Sequence, residues 1–124
     1  MSDINDELKL ITLPRRLSMA EFDKLQDYLL THGYNVDIIH QRRQMLGRAL
    51  VQSEHHQLIV NDTENPAIRL WDAVISDYSY GHEDGLLEAM GTGLLEGPGT
   101  VEGWLTADEI IKRLEEKDGR HAED

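Results

Sequence analysis

The residues best suited to chemistry lie together in the second half of the chain, at His82, Glu83 and Asp84. A histidine beside carboxylates performs general acid–base catalysis when the side chains face one cleft. The same residues fit a turn in which Asp84 caps a helix, because Asp accepts hydrogen bonds from the free N–H groups of a helix start. We favour the turn and assign no catalytic residue. A small metal-dependent or acid–base hydrolase centred on these three residues is kept as an alternative.

Metal binding is a second reading of these side chains. Glu83, Asp84 and Glu88 supply several carboxylate oxygens, but their spacing matches no EF-hand loop. His55 and His56 are adjacent, and adjacent side chains on extended backbone point to opposite faces. We therefore predict that no metal is bound.

Phosphate and thiol chemistry are also disfavoured. The glycine pairs within residues 91–93 and 97–99 lack the lysine of a phosphate-binding loop and are surrounded by acids. The chain contains no cysteine, which excludes disulfides, thiolate metal ligands and a thiol nucleophile. We predict no cofactor.

The charge of the chain, −12 in total, is unevenly distributed. Residues 70–111 contain nine carboxylates and no Lys or Arg. Such a region repels nucleic acid and anionic lipid and attracts basic protein surfaces, although acidic surfaces also serve solubility alone. The candidate contact residues are the acidic and aromatic side chains of this part of the chain, namely Asp77, Tyr80, Glu83, Asp84, Glu88, Glu96 and Glu102.

The basic residues form one cluster besides Arg15 and Arg16, at Arg42, Arg43 and Arg48. Direct nucleic-acid binding needs a wider basic face, so we predict none. The cluster instead suits acids of the same chain or of a second copy, which makes a homodimer a further alternative.

Two aromatic residues of the acidic half allow both packing and interaction roles. For Trp104, beside the apolar Leu105, we predict packing between sheet and helices. For Tyr80 both readings stay open.

Two stretches show the start signals of helices. Ser18 and Glu21 form a capping box, and the helix they begin should run to about His32 and end at Gly33. Thr106 and Glu109 repeat the pattern before a second helix that ends at Gly119. A short helix over 85–90, capped by Asp84, and a loop over 91–103 are predicted between them.

The middle of the chain reads as an antiparallel meander, because no connection is long enough for a parallel crossover. Leu8 to Leu13 fits an edge strand or a loosely packed arm. The predicted strands are 34–38, 46–52, 57–61 and 67–76, the last being the longest, with a polar break at 41–44, a hairpin joint at 53–56 and a turn at 62–66.

These elements predict an α+β fold in one domain, residues 1–124, with frayed ends at 1–7 and 118–124. We expect an antiparallel three- to four-stranded sheet with an N-terminal helix and a C-terminal helix packed on one face. The chain has no apolar signal core near its start and no apolar run of about 20 residues, so we expect neither secretion nor membrane insertion.

The last third to half of the chain carries two motifs that resemble a known group of proteins. They are Ser79-Tyr80-Gly81-x-Glu83-x-Gly85-Leu86-Leu87-Glu88-x-Met90-Gly91 and Val101-Glu102-Gly103-Trp104-Leu105-Thr106-Ala107-Asp108-Glu109. Together they resemble the C-terminal signature of small phage and prophage proteins of Gram-positive bacteria. The resemblance implies a setting, accessory proteins of mobile elements that include inhibitors of host defence such as anti-CRISPR proteins, and carries no activity.

Charge and setting together predict a non-enzymatic binding protein. It would act in the host cytoplasm and present its acidic half to a basic surface of a host protein, such as one that itself binds nucleic acid.

Overall fold

The computed structural model describes residues 17–91, 94–95 and 100–117. Five strands form one antiparallel sheet in the order β1-β2-β3-β4-β5, which confirms the α+β class with one strand more than the predicted maximum. The predictions for Leu8 to Leu13, Glu96, Gly119 and both chain ends lie outside the described residues. In chain order the elements are α1 (Ala20–Thr31), β1 (Asn35–Leu46), β2 (Ala49–Asn61), β3 (Arg69–Ser76), a 3-10 helix (His82–Asp84), β4 (Leu87–Met90), β5 (Val101–Leu105) and α2 (Ala107–Lys117).

One hydrophobic core joins the two helices to the sheet. The buried positions of each helix recur every three or four residues, and those of the strands alternate, as expected for elements with one apolar face. Both helices therefore cover the same sheet face, as predicted. The core includes Phe22, Leu25 and Leu29 of α1, Ala107, Ile110 and Leu114 of α2, and Leu58, Val60, Trp71, Ala73, Ile75, Leu87 and Ala89 of the sheet. No helix in the described part of the chain is long and apolar enough to cross a membrane.

The N-terminal capping box predicted for α1 is wrong. Met19 is the N-cap residue and makes no side-chain capping bond. Glu21 instead accepts the N–H of Ala107, because the fold brings the starts of the two helices together. The predicted end of α1 is confirmed: Gly33 has φ +78°, and the N–H groups of Gly33 and Tyr34 bond the carbonyls of Leu30 and Leu29.

The capping box of α2 is confirmed. Thr106 Oγ1 accepts the N–H of Glu109 at 3.1 Å, and Glu109 Oε1 accepts the N–H of Thr106 at 3.1 Å. This reciprocal pair satisfies backbone N–H groups at the helix start.

The first two strands are longer than predicted. β1 continues through the predicted polar break at 41–44, and the predicted hairpin joint at 53–56 lies in the interior of β2. The turn falls instead at Gly47 and Arg48, where Gly47 has φ +62°, a conformation that a two-residue hairpin loop requires. β2, with 13 residues, is the longest strand, so the prediction for 67–76 is wrong in that respect.

The β1–β2 hairpin projects beyond the rest of the sheet. β1 and β2 pair as far as Leu46 with Ala49, whereas β3 pairs with β2 only as far as Ser76 with His55. We call residues 42–53 the ribbon. Its five β2 residues before Glu54 extend about 17 Å at the usual rise per residue.

The region between β3 and α2 differs most from prediction. Residues 82–84 form a 3-10 helix flanked by Gly81 and Gly85, both with positive φ. The helix predicted over 85–90 is wrong: Leu87–Met90 is β4, whose buried Leu87 and Ala89 alternate with less buried neighbours. The predicted loop over 91–103 is wrong at its end, because β5 begins at Val101.

Candidate functional site

The β3–β4 connection and the end of β5 lie at one end of the sheet, because Leu87 at the start of β4 pairs with Leu105 at the end of β5. This places two predicted contact residues of the acidic 3-10 helix, Glu83 and Asp84, beside Tyr80 and Trp104. The four side chains line a shallow depression of about 180 Å³, together with Tyr78, Ser79, Gly81 and His82. The motifs around 80 and 103, distant in sequence, thus form one surface.

Tyr80 and Trp104 form an exposed aromatic pair. Their ring centroids are 5.2 Å apart and their planes are inclined by 18°, so the rings are stacked. Tyr80 is 57% exposed and Trp104 59% exposed. The packing role predicted for Trp104 is therefore wrong, because the adjacent Leu105 enters the core and the indole lies on the surface.

Two glycines allow the backbones beneath the pair to approach closely. A Cβ at Gly103 would overlap the Tyr80 side chain, and a Cβ at Gly81 would lie 3.0 Å from the Trp104 backbone. The N–H of Trp104 also bonds the carbonyl of Tyr80 at 3.3 Å. Glycines at both positions are therefore what lets the two segments meet.

The backbone of Trp104 is strained. Its φ of +56° is the single positive value at a non-glycine residue in the described chain. Bulky residues rarely adopt this left-handed conformation, which costs about 1–2 kcal/mol. The surrounding fold holds the indole at this position despite that cost.

Two predicted contact carboxylates are engaged by backbone groups. Asp77 Oδ2 accepts the N–H of Glu54 at 3.0 Å, which fastens the β3–β4 connection to β2. Glu88 Oε1 accepts the N–H of Tyr80 at 3.1 Å, which fixes the backbone of the aromatic pair. Asp77 and Glu88 thus position this surface.

Glu102 is neutralised by a basic residue of the same chain. The Arg113 guanidinium forms two hydrogen bonds to its carboxylate, one of 2.6 Å to Oε1. These hydrogen bonds lower the pKa of Glu102 and raise that of Arg113 from their ordinary values. Glu102 therefore contributes less negative potential than the sequence suggested.

The acidic side chains of the 3-10 helix are both exposed. No ion pair within the described residues involves Glu83 or Asp84. Of the predicted acidic contact residues that the structure describes, these two are the exposed carboxylates beside the aromatic pair.

His82 is oriented by the backbone. Its Nδ1 lies 2.6 Å from the Ser79 carbonyl oxygen, so Nδ1–H donates to that oxygen. Among the described residues the His82 ring makes no hydrogen bond to Glu83 or Asp84, and no group of three His, Asp or Glu side chains is arranged to hold a metal ion.

The sequence did not predict a hydrogen-bonded chain that is buried at Glu54 and His56 and reaches the exposed residue His40. His56 Nε2 lies 3.1 Å from Glu54 Oε1, and His56 Nδ1 lies 2.9 Å from His40 Nδ1. Glu54 and His56 are both 1% exposed, and Phe22 packs on both imidazole rings. With neutral imidazoles, His56 donates from Nε2 to Glu54 and accepts at Nδ1, so His40 Nδ1–H is the donor.

The sequence signal for these hydrogen bonds was the spacing of Glu54 and His56. Residues two apart on a strand share a face. Because residues 53–56 were assigned to a turn, that spacing carried no meaning. The hydrogen bonds orient His40 and His56 between β1, β2 and α1.

Comparison with known proteins gives no relative for this chain. Neither the protein-family models, nor the curated proteins, nor the solved structures contain a match.

Proposed function

We propose that this protein is a binding protein whose contact surface is centred on Tyr80 and Trp104 and flanked by Glu83 and Asp84. The observation that carries the proposal is the exposure of a stacked aromatic pair on a strained backbone. Exposed aromatic side chains of this kind dominate the binding energy of many protein interfaces.

Strain at the pair supports a role outside folding. A left-handed Trp costs stability, and an exposed indole returns little through burial. Such costs are found at binding and catalytic sites, where the surrounding structure holds the residue in place. Asn or Gly would occupy the Trp104 backbone conformation with less strain.

Charge indicates the chemistry of the partner. Glu83 and Asp84 make the rim of the depression anionic, and the aromatic faces attract cations. Arginine matches both features, because its planar guanidinium stacks on aromatic rings and binds carboxylates. The proposed partner is therefore a protein with a basic, arginine-containing surface.

The biological setting is proposed from the phage-protein resemblance. Tyr80, Gly81, Gly103 and Trp104, which build the aromatic pair, all belong to the two motifs that carry it. We propose that the partner is a host protein in the bacterial cytoplasm whose basic surface serves nucleic-acid binding. Covering that surface would inhibit it, as expected of an inhibitor of host defence.

Capture from a lysate of a Gram-positive host tests this function. Three immobilised proteins are compared by quantitative mass spectrometry: the wild type, the double variant Glu83→Arg/Asp84→Arg, and the control Glu64→Arg/Glu116→Arg. The control makes the same change of net charge at two exposed residues that do not line the depression beside the aromatic pair.

We expect a protein that is retained by the wild type and the control, released by salt, and lost with the Glu83/Asp84 variant. Equal retention by all three proteins would contradict the proposed surface.

A further inference from the structure

The ribbon is the part of the sheet in which β2, among the described strands, pairs with β1 alone. Beyond His55 no strand in the described chain continues the sheet beside β2. Two-stranded hairpins are marginally stable alone in water, so a projecting one gains by contacting another surface.

The ribbon and the acidic region of residues 70–111 carry opposite charge. Between Asp37 and Glu54 the sequence holds three arginines and no Asp or Glu. Arg42 and Arg48 are exposed, and Arg48 lies in the turn at the tip. The ribbon therefore offers, at Arg48, an arginine of the kind that the proposed contact surface is suited to bind.

Apolar composition adds to this complementarity. Apart from Gly47 and Arg48, the end of the ribbon reads Met45, Leu46, Ala49, Leu50 and Val51. Apolar and arginine residues match a receiving surface made of aromatic rings and carboxylates. A polyanion would match the arginines but be repelled by the net charge of −12.

Placement of the two elements favours a closed assembly. The ribbon leaves the sheet beyond Ser76, and the β3–β4 connection that carries Tyr80, Glu83 and Asp84 begins at the same residue. Because both lie at one end of the sheet, a two-fold axis there lets each copy's ribbon contact the other copy's aromatic pair. The contact closes with two copies.

We propose that the protein forms a two-fold dimer in which the ribbon of each copy docks on the Tyr80–Trp104 surface of the other. The inference rests on the proposed function in using the same surface. The dimer occupies that surface until a basic partner competes for it.

Sedimentation velocity and native mass measurement test the dimer. The wild type should dimerise at about 50 mM salt and dissociate toward about 500 mM, because screening weakens exposed charge contacts. Arg48→Glu and Glu83→Arg/Asp84→Arg should each weaken self-association at least tenfold. The controls Lys112→Glu and Glu64→Arg/Glu116→Arg should leave it unchanged.

Mixing the two weakened variants gives the decisive result. A mixed dimer contains one Arg48→Glu copy and one Glu83→Arg/Asp84→Arg copy. The altered ribbon of the first copy then meets the altered surface of the second with opposite charge. The unaltered ribbon of the second copy meets the unaltered surface of the first, as in the wild type. The mixture should therefore form a heterodimer that neither variant forms alone. A wild type that is monomeric at low salt, or a mixture that stays monomeric, overturns the dimer.

The two proposals fail separately. If the dimer is absent but the contact surface is real, Arg48→Glu and the wild type capture the host partner equally. If both proposals hold, Arg48→Glu captures it better, because no second copy competes. If the dimer forms while no host protein depends on Glu83 and Asp84, the proposed function fails and the dimer stands.

Discussion

The carboxylate of Glu21 in α1 accepts a hydrogen bond from the N–H of Ala107, the first residue of α2, at 2.7 Å. A glutamate at this position satisfies one free N–H of the second helix and places a negative charge at the positive end of its dipole. Trp104 precedes this helix start by only a few residues. The contact therefore ties the start of the second helix, which follows the end of β5 directly, to α1.

Replacement of Glu21 by Ala should lower the free energy of unfolding by about 1 kcal/mol, the usual cost of losing a helix cap. Asp23→Ala, in the same turn of α1, removes an exposed carboxylate without such a bond and should cost less. Urea denaturation measures both. Equal losses for the two variants would show that the bond to Ala107 contributes nothing.

Trp104→Asn should leave the free energy of unfolding within about 1 kcal/mol of the wild type. Asn tolerates the left-handed backbone, and the relief of strain offsets the loss of ring stacking, each worth about 1 kcal/mol. Trp71→Asn serves as the contrast, because Trp71 is 2% exposed and its replacement should cost about 3 kcal/mol or more. A Trp104 variant as unstable as the Trp71 variant would show that the indole is needed for folding.

Gly103→Ala should destabilise the protein by about 1–3 kcal/mol, since its Cβ would overlap Tyr80 and force the aromatic ring away. Gly33→Ala is the comparison, because nothing lies within 4 Å of its Cβ and only the positive φ opposes the change. The expected signature of Gly103→Ala is a changed Trp fluorescence together with lower stability. An unchanged spectrum would mean that Tyr80 and Trp104 stay stacked.

Acid should weaken the Glu102–Arg113 pair. The hydrogen bonds from Arg113 lower the pKa of Glu102 in the folded chain, so the unfolded chain binds a proton more readily. The stabilisation is therefore present above the ordinary carboxyl pKa of 4.5 and is lost as pH falls through the lower folded value. Because the side chains are 43% and 31% exposed, the contribution is at most about 1 kcal/mol.

Arg113→Gln tests this pH dependence. Its deficit in unfolding free energy against the wild type should be present at pH 7 and shrink at pH values below the folded pKa. A deficit that stays constant across that range would assign the effect to packing of the Arg113 side chain.

The features predicted correctly from sequence depend on neighbouring residues. The Thr106–Glu109 capping box and the Gly33 helix end each involve residues within a few positions of one another. The errors in the strand boundaries depend on pairing with distant strands. Residues 53–56 are polar enough for a turn, and only the register with β1 and β3 places Glu54 and His56 inside a strand.

Only part of the candidate site could be predicted from the sequence. Tyr80, Glu83 and Asp84 are neighbours, and their charge identified the acidic segment. Trp104 was assigned to the core because sequence shows neither the left-handed backbone that turns it outward nor the approach of Gly103 to Tyr80. The neutralisation of Glu102 likewise depends on a contact with α2 that only the fold creates.

The most direct test of the proposed contact surface is the dissociation constant of the captured partner for the wild type and for Trp104→Asn, measured by calorimetry at low and high salt. If the interface is centred on Trp104, the dissociation constant of Trp104→Asn should be about 30-fold or more above that of the wild type, which corresponds to about 2 kcal/mol of binding free energy. Leu30→Ala, which shortens an exposed apolar side chain near the C-terminal end of α1, should leave the dissociation constant unchanged. Equal dissociation constants for Trp104→Asn and the wild type would contradict the account.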